Sequence, residues 1–189
     1  MPRGTEFGVR PIVRIVVAQL MLLNGSPSAG KSTLATAIQA VAQRPIFHRS
    51  LDHFLAGYQL EWRAEDRSLF DKVMTGYVYS LAALVRAGCD VVAEAVIIPE
   101  RVALYRSALA DVPVLLVGVR CALDVAEARE DARTDRSHLD LDVAWFETVH
   151  QVPYDAEIDT TNDPPPEVLA SQLVNLYERP PKARAFTRL

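Results

Sequence analysis

The sequence predicts an α/β fold in which a parallel sheet of five strands is covered by helices on both faces. Two observations predict it. Short apolar runs alternate with longer helical patterns along the chain, and the apolar runs are continuous instead of alternating with polar residues. A strand that is apolar throughout must be buried on both faces, which is typical of parallel sheets. The length of 189 residues suits one such unit, so residues 1–189 are interpreted as a single domain.

Local signals place the elements in order along the chain. The apolar run before Gly25 is predicted to be a buried strand, and the helical pattern from Lys31 follows it. Gly88 ends the longest helix, since glycine readily adopts the left-handed conformation of helix ends. Pro99 opens the next helix, where its missing N–H costs nothing, and Asp163 with the following prolines opens the last. The strands are predicted over 19–24, 45–50, 89–97, 112–120 and 156–161, and the helices over 31–43, 67–88, 99–110, 122–136, 143–151 and 166–177.

Charge and hydropathy argue against two classes of partner. The net charge of −4 does not favour binding to nucleic acid or to an anionic membrane. The apolar stretch over 11–25 is interrupted by Arg14 and Gln19 and is too short to span a bilayer. We therefore expect no nucleic-acid or membrane partner, and the sequence leaves open whether the chain is a monomer or a homo-oligomer.

The two ends of the chain and its cysteines carry less information. Residues 1–12 have no pattern and are interpreted as a flexible leader or an expression scar, and 178–189, which are basic and rich in proline, as a tail. Cys89 and Cys121 stand at the start of apolar runs and are predicted to be buried free thiols. Such thiols fit a reducing cytoplasm.

The strongest motif of the chain is a phosphate-binding loop. Gly25, Gly30, Lys31 and Ser32 fit G-x-x-x-x-G-K-[ST] without a mismatch, between a predicted strand and a predicted helix. The glycines let backbone N–H groups turn toward phosphate oxygens, and the helix adds its positive end. Lys31 reaches the β- and γ-phosphates, and Ser32 offers its hydroxyl to Mg²⁺. The residues predicted to bind the nucleoside triphosphate are Gly25, Ser26, Ser28, Ala29, Gly30, Lys31, Ser32 and Thr33.

Two acidic residues stand where parallel strands end, and ligands of α/β folds bind at that edge of the sheet. Asp52 follows the second predicted strand and could accept the proton of a substrate hydroxyl; it could also cap the following helix, and the two roles are compatible. Glu94 ends the third strand and could orient metal-bound water, contact the acceptor or form a salt bridge at the rim. Between and beyond these acids stand candidate aromatic walls for an acceptor: Phe54, Tyr58, Trp62 and Phe70.

Three arginines follow the fourth predicted strand. Arg129, Arg133 and Arg136 are spaced i, i+4, i+7 and would share one helix face. Arginines there would stabilise the charge of a transferring phosphoryl group. A solvated face with Glu130 and Asp131 is the alternative. Small P-loop kinases carry an arginine-rich lid at this place, which favours the phosphate role by analogy.

Three segments resemble the chloramphenicol phosphotransferase family of small P-loop kinases: "LNGSPSAGKS", "VGVRCALDVAEAREDARTDR" and "VHQVPYDAEIDTT". The resemblance implies a nucleoside-monophosphate-kinase-like fold with a five-stranded parallel core and an arginine-bearing lid. It also implies ATP as the donor and the alcohol of a small-molecule antibiotic as the acceptor of the γ-phosphoryl group.

The resemblance also assigns roles to individual residues. The glycines, Lys31 and Ser32 match the family's phosphate loop, Asp52 matches its catalytic aspartate, and Arg133 and Arg136 match its lid arginines. Arg129 is assigned to the nucleotide, and Phe54 and Glu94 join Asp52 as acceptor contacts. The chain departs from the family where Glu94-Ala95 replaces two adjacent acids, and over 53–79, which show little likeness.

Two other functions stay open at this point. One is a metabolic kinase of the shikimate or nucleoside kind, which would use the same loop and a different acceptor. The other is a nucleotide-dependent switch without an acceptor, which is disfavoured because the chain has no N-K-x-D-like motif that reads a base.

Overall fold

The computed structural model describes residues 18–57, 67–132, 146 and 148–178, and in it five parallel strands form one sheet in the order β2-β3-β1-β4-β5. The strands are β1 Leu20–Asn24, β2 Ile46–Arg49, β3 Asp90–Ala95, β4 Val114–Arg120 and β5 Ala156–Asp159. The predicted parallel sheet is therefore confirmed, and each strand ends within two residues of its predicted bounds.

The helices follow the predicted alternation with two differences. The element predicted from Pro99 begins as a 3₁₀ turn, and a short helix that the element list lacked follows β2. The predicted helix over 143–151 falls largely outside the described residues, as do 1–12 and 179–189. The helices are α1 Lys31–Val41, α2 Leu51–Leu55, α3 Arg67–Arg86, α4 Val102–Ala108 after the 3₁₀ turn Pro99–Arg101, α5 Leu123–Asp131 and α6 Pro166–Tyr177.

The central strand shows why its sequence is apolar throughout. Leu20 and Leu22 pack with side chains of α3 and α4 on one face of the sheet. Met21 and Leu23 pack with side chains of α1 and α6 on the other. All four are fully buried, as a strand inside a doubly covered sheet requires. Within the described residues, no helix combines the length and apolar character that crossing a membrane requires.

The register of the sheet brings the candidate residues to one edge. Leu23 pairs with Glu94 and Asn24 pairs with Ala95, so β1 and β3 end side by side. The loop from β1 to α1, the turn from β2 to α2 and the segment after β3 all leave the sheet there. The carboxyl edge of the sheet therefore carries the site.

Candidate active site

The phosphate-binding loop, residues 25–32, is shaped by its two glycines. A Cβ added to Gly25 would lie 2.3 Å from the carbonyl oxygen of Val119, so only glycine lets the loop pass so close to β4. Gly30 has φ +84°, in the left-handed region that glycine adopts without strain, and Ser28 has φ +56°. Successive turns of this kind point backbone N–H groups to one side, which is the geometry of an anion-binding loop.

The start of α1 leaves its positive end available to an anion. Gly30 stands at the N-cap without a side chain, and the first turn of the helix contains no acidic residue. The ammonium of Lys31 donates to the carbonyl oxygens of Gly25 at 2.9 Å and Ser26 at 2.6 Å, and the residue is 8% exposed. These bonds hold a buried cation against the loop.

Glu94 lies beside the loop and is not a rim residue. One carboxylate oxygen accepts from the Ser32 hydroxyl at 2.8 Å, and the other is 2.8 Å from Nε2 of His48. Burial acts to raise the pKa of Glu94, but the His48 hydrogen bond, the charge of Lys31 and the Ser32 hydrogen bond outweigh it, so the pKa lies below its usual range. Glu94 is therefore ionised at neutral pH and bonded to the serine of the motif.

Asp52 faces the same cavity from α2 and does not cap that helix. The N-cap is Ser50, whose hydroxyl accepts from the backbone N–H of His53 at 3.1 Å. The capping alternative for Asp52 is therefore wrong, because Asp52 already lies in the first turn. Its side chain lines the cavity together with Ser32 and Glu94.

The first of the three arginines contacts the phosphate-binding loop. Arg129 donates to the backbone carbonyl of Thr160 at 2.7 Å and to that of Ser28 at 3.4 Å, and it pairs with Asp163. Its neighbour Glu130 is 3% exposed and accepts a hydrogen bond from the Ser28 hydroxyl. A solvated face does not describe this part of α5. Arg133 and Arg136 lie outside the described residues, so their lid role stays a prediction.

A single cavity of about 690 Å³ runs along the carboxyl edge of the sheet. At its middle are Gly30, Lys31, Ser32 and Thr33 of the loop. One end, which we call the nucleotide end, is lined by Arg129, Thr160, Asp163, Pro164, Pro166 and Leu169. The other, which we call the acceptor end, is lined by Leu51, Asp52, Leu55, Phe70, Val96, Arg101 and Tyr105.

The aromatic candidates separate into two groups. Phe70 lines the acceptor end, whereas Phe54 is not among the cavity-lining residues. The Phe54 ring packs edge-on against Tyr77 at 5.7 Å between ring centres, in contact with the core. Tyr58 and Trp62 lie outside the described residues.

Sequence reasoning missed His48, Arg101 and Tyr105. Arg101 follows β3, so the rule that selected acids at strand ends would have found it if it had been applied to cations as well. His48 stands within a strand and Tyr105 within a helix. No local signal distinguishes either from a core residue.

The donor set fits a nucleotide with its metal. The loop offers backbone N–H groups and a lysine, which suit phosphates. Ser32 and Glu94 offer a hydroxyl and an ionised carboxylate next to the loop. Oxygen donors of this kind are what Mg²⁺ prefers, with water and phosphate completing its shell. Among the described residues, no group of three or more His, Cys, Asp or Glu side chains forms a protein-only metal site.

Comparison with known proteins gives one family. The model of the family described as chloramphenicol phosphotransferase-like protein matches residues 18–178. A Mycobacterium tuberculosis (strain H37Rv) protein named "Putative O-phosphotransferase" is 29% identical over 202 aligned positions, which cover 90% of this chain and 87% of that protein.

Two solved structures have a similar fold. The Mycobacterium tuberculosis APS kinase CysC, in complex with AMPPNP and APS, has a TM-score of 0.65 at 17% identity, over 86% of this chain and 98% of the other. A tunicamycin resistance protein from Deinococcus radiodurans has a TM-score of 0.64 at 14% identity, over 87% and 99%. At such identities the likeness concerns the fold alone.

Proposed function

The chain belongs to the chloramphenicol phosphotransferase-like family and is a phosphotransferase with the P-loop kinase fold, and from that premise we propose that it transfers the γ-phosphoryl group of ATP to a hydroxyl of a small-molecule antibiotic. The observation that carries the proposal is the continuous cavity, which has the phosphate-binding loop at its middle and the Asp52 carboxylate at its acceptor end. A donor and an acceptor bound in one cavity can meet without release of either.

ATP supplies the phosphoryl group, and Mg²⁺ neutralises charge on the phosphates. The loop N–H groups and Lys31 bind the phosphates. Ser32 and Glu94 hold the metal side of the site. Asp52 takes the proton of the acceptor hydroxyl as its oxygen forms the new bond to phosphorus and the bond to the β-phosphate oxygen breaks, so that ADP leaves.

The acceptor end suits a molecule with an apolar body, because Leu51, Leu55, Phe70 and Val96 line it. The family description and the tunicamycin resistance protein both support a natural-product acceptor whose phosphorylation inactivates it. The second candidate is a metabolic kinase, supported by the likeness to APS kinase. A switch without an acceptor has less support, because a named relative is an O-phosphotransferase.

The test is ATP consumption by the purified protein with Mg²⁺ and a panel of hydroxylated antibiotics, with mass spectrometry of each acceptor. We expect one class of antibiotic to gain about 80 Da, the mass of one phosphoryl group, and a Lys31→Ala control to produce none. Turnover of a metabolic alcohol but of no antibiotic would favour the second candidate. ATP hydrolysis that no alcohol stimulates would contradict both.

A further inference from the structure

The acceptor end contains a cation that the proposed chemistry does not use. Apart from Asp52 and the loop, its lining is mainly apolar, and Arg101 brings a guanidinium into it. Phosphate binding already has Lys31 at the loop, and Arg129 lies at the nucleotide end. Arg101 stands at the end of the 3₁₀ turn after β3, on the acceptor side.

The surroundings of Arg101 fix its place. One Nη group donates to the carbonyl oxygen of Val96 at 3.4 Å, and the guanidinium lies 5.5 Å from the centre of the Phe70 ring. Both neighbours also line the cavity. A guanidinium stacked on an aromatic ring keeps its charge and several donors, and its planar fork suits a carboxylate or another oxyanion.

Tyr105, one turn further along, adds a second donor. The residue is fully buried and lines the cavity, and its hydroxyl has no hydrogen-bond partner among the described residues. Buried polar groups normally have a partner, because leaving one unpaired costs about 1–3 kcal/mol. Burial raises the pKa of Tyr105 above its ordinary value even though the nearby Arg101 charge lowers it, so the hydroxyl stays protonated and can donate.

We propose that the acceptor carries an oxyanion, of the carboxylate class, which binds Arg101 with support from Tyr105 while the hydroxyl to be phosphorylated points to Asp52. The inference rests on the proposed function and narrows its substrate to hydroxylated acids with an apolar body. Charge also sets the orientation of such a molecule, because Asp52 repels the anionic end and Arg101 attracts it.

Binding tests the inference without turnover. The probes are the ortho, meta and para hydroxymethylbenzoates and their neutral carboxamides, titrated into the protein with Mg²⁺ and a non-hydrolysable ATP analogue. We expect at least one benzoate to bind about tenfold or more tightly than its carboxamide, the worth of a hydrogen-bonded ion pair. Arg101→Gln should abolish that preference, and Arg106→Gln, an exposed arginine on the same helical segment, should keep it.

Tyr105→Phe separates ligand binding from folding. Removal of a hydroxyl without a protein partner should leave the melting temperature unchanged or raise it, while benzoate binding weakens several-fold. Equal binding of benzoates and carboxamides, an unchanged preference in Arg101→Gln, or binding of neither series would overturn the inference. None of these results bears on phosphoryl transfer to the antibiotic panel, so the proposed function fails or stands on its own measurement.

Discussion

At the scale of single residues, the arrangement of His48, Glu94 and Ser32 has the clearest chemical consequence. Glu94 receives one hydrogen bond from each neighbour, at 2.8 Å in both cases, and is almost buried. Each carboxylate oxygen therefore has a fixed direction, and the one beside Ser32 lies next to the phosphate-binding loop. His48 contacts only the far oxygen and acts through Glu94 as a positioning residue.

We predict that His48→Ala raises the Mg²⁺ concentration needed for half-maximal activity by about 10–100-fold, the usual effect of removing a partner of a metal ligand. His48→Gln, whose amide nitrogen can replace Nε2, should recover most of the loss. The measurement is activity against Mg²⁺ concentration at saturating ATP. A loss in both variants that added Mg²⁺ does not relieve would show that His48 has a packing role only.

Asp52 and Ser50 allow catalysis and capping to be tested apart. Asp52→Asn keeps the size of the side chain but cannot take a proton, so transfer should fall by about 10²–10⁴-fold with the melting temperature nearly unchanged. Ser50→Ala removes the N-cap of α2 and should lower the free energy of unfolding by about 0.5–2 kcal/mol with a smaller effect on rate. Normal transfer by folded Asp52→Asn would remove Asp52 from the mechanism.

At the scale of elements, α5 is tied to the phosphate-binding loop by two side chains that are consecutive in sequence. Arg129 donates to the carbonyl of Ser28, and Glu130 accepts from the hydroxyl of the same residue. Arg129 also reaches Thr160 and Asp163 after β5. The start of the predicted lid is therefore anchored, and a movement of α5 would be felt by the loop.

If the lid continues this contact, Arg133→Ala and Arg136→Ala should each reduce the rate of transfer by about 10²-fold or more, as expected when a donor to transition-state charge is removed. The matched control is Arg106→Ala, which removes an exposed arginine from α4. Rates of all three variants are compared at saturating ATP. Equal rates in the three would assign the lid arginines to a solvated surface.

At the scale of the whole molecule, the carboxyl edge of the sheet is closed by the chain after the predicted lid. Asn24, the last residue of β1, donates to the Val149 carbonyl and the Tyr154 hydroxyl, both at 2.8 Å, and accepts from the N–H of Ile97 at 2.7 Å. The Tyr154 ring lies against Gly118 of β4, where an added Cβ would come within 2.6 Å of it. One buried asparagine thus connects the start of the phosphate-binding loop with two distant segments.

We predict that Gly118→Ala lowers the free energy of unfolding by about 1–3 kcal/mol, because the new methyl group displaces the Tyr154 ring from its place. Gly118→Ala with Tyr154→Leu should recover part of that loss, since the smaller side chain leaves room for the methyl group. Denaturant unfolding of the two variants and of Tyr154→Leu alone measures the coupling. Additive effects in this cycle would contradict the contact.

The sequence by itself determined the sheet, the phosphate-binding loop and the class of chemistry, because these depend on local patterns: continuous apolar runs, glycines at fixed spacing, a lysine and a serine at the start of a helix. It could not assign Phe54 or exclude Asp52 as a cap, since both questions depend on where a helix begins and which way its side chains face. Only the tertiary structure brought His48 to Glu94, Arg129 to Ser28 and Arg101 to Phe70. These pairs are distant along the chain, and their contacts exist because β1, β3 and β4 end at one edge, a consequence of strand order that no local pattern contains.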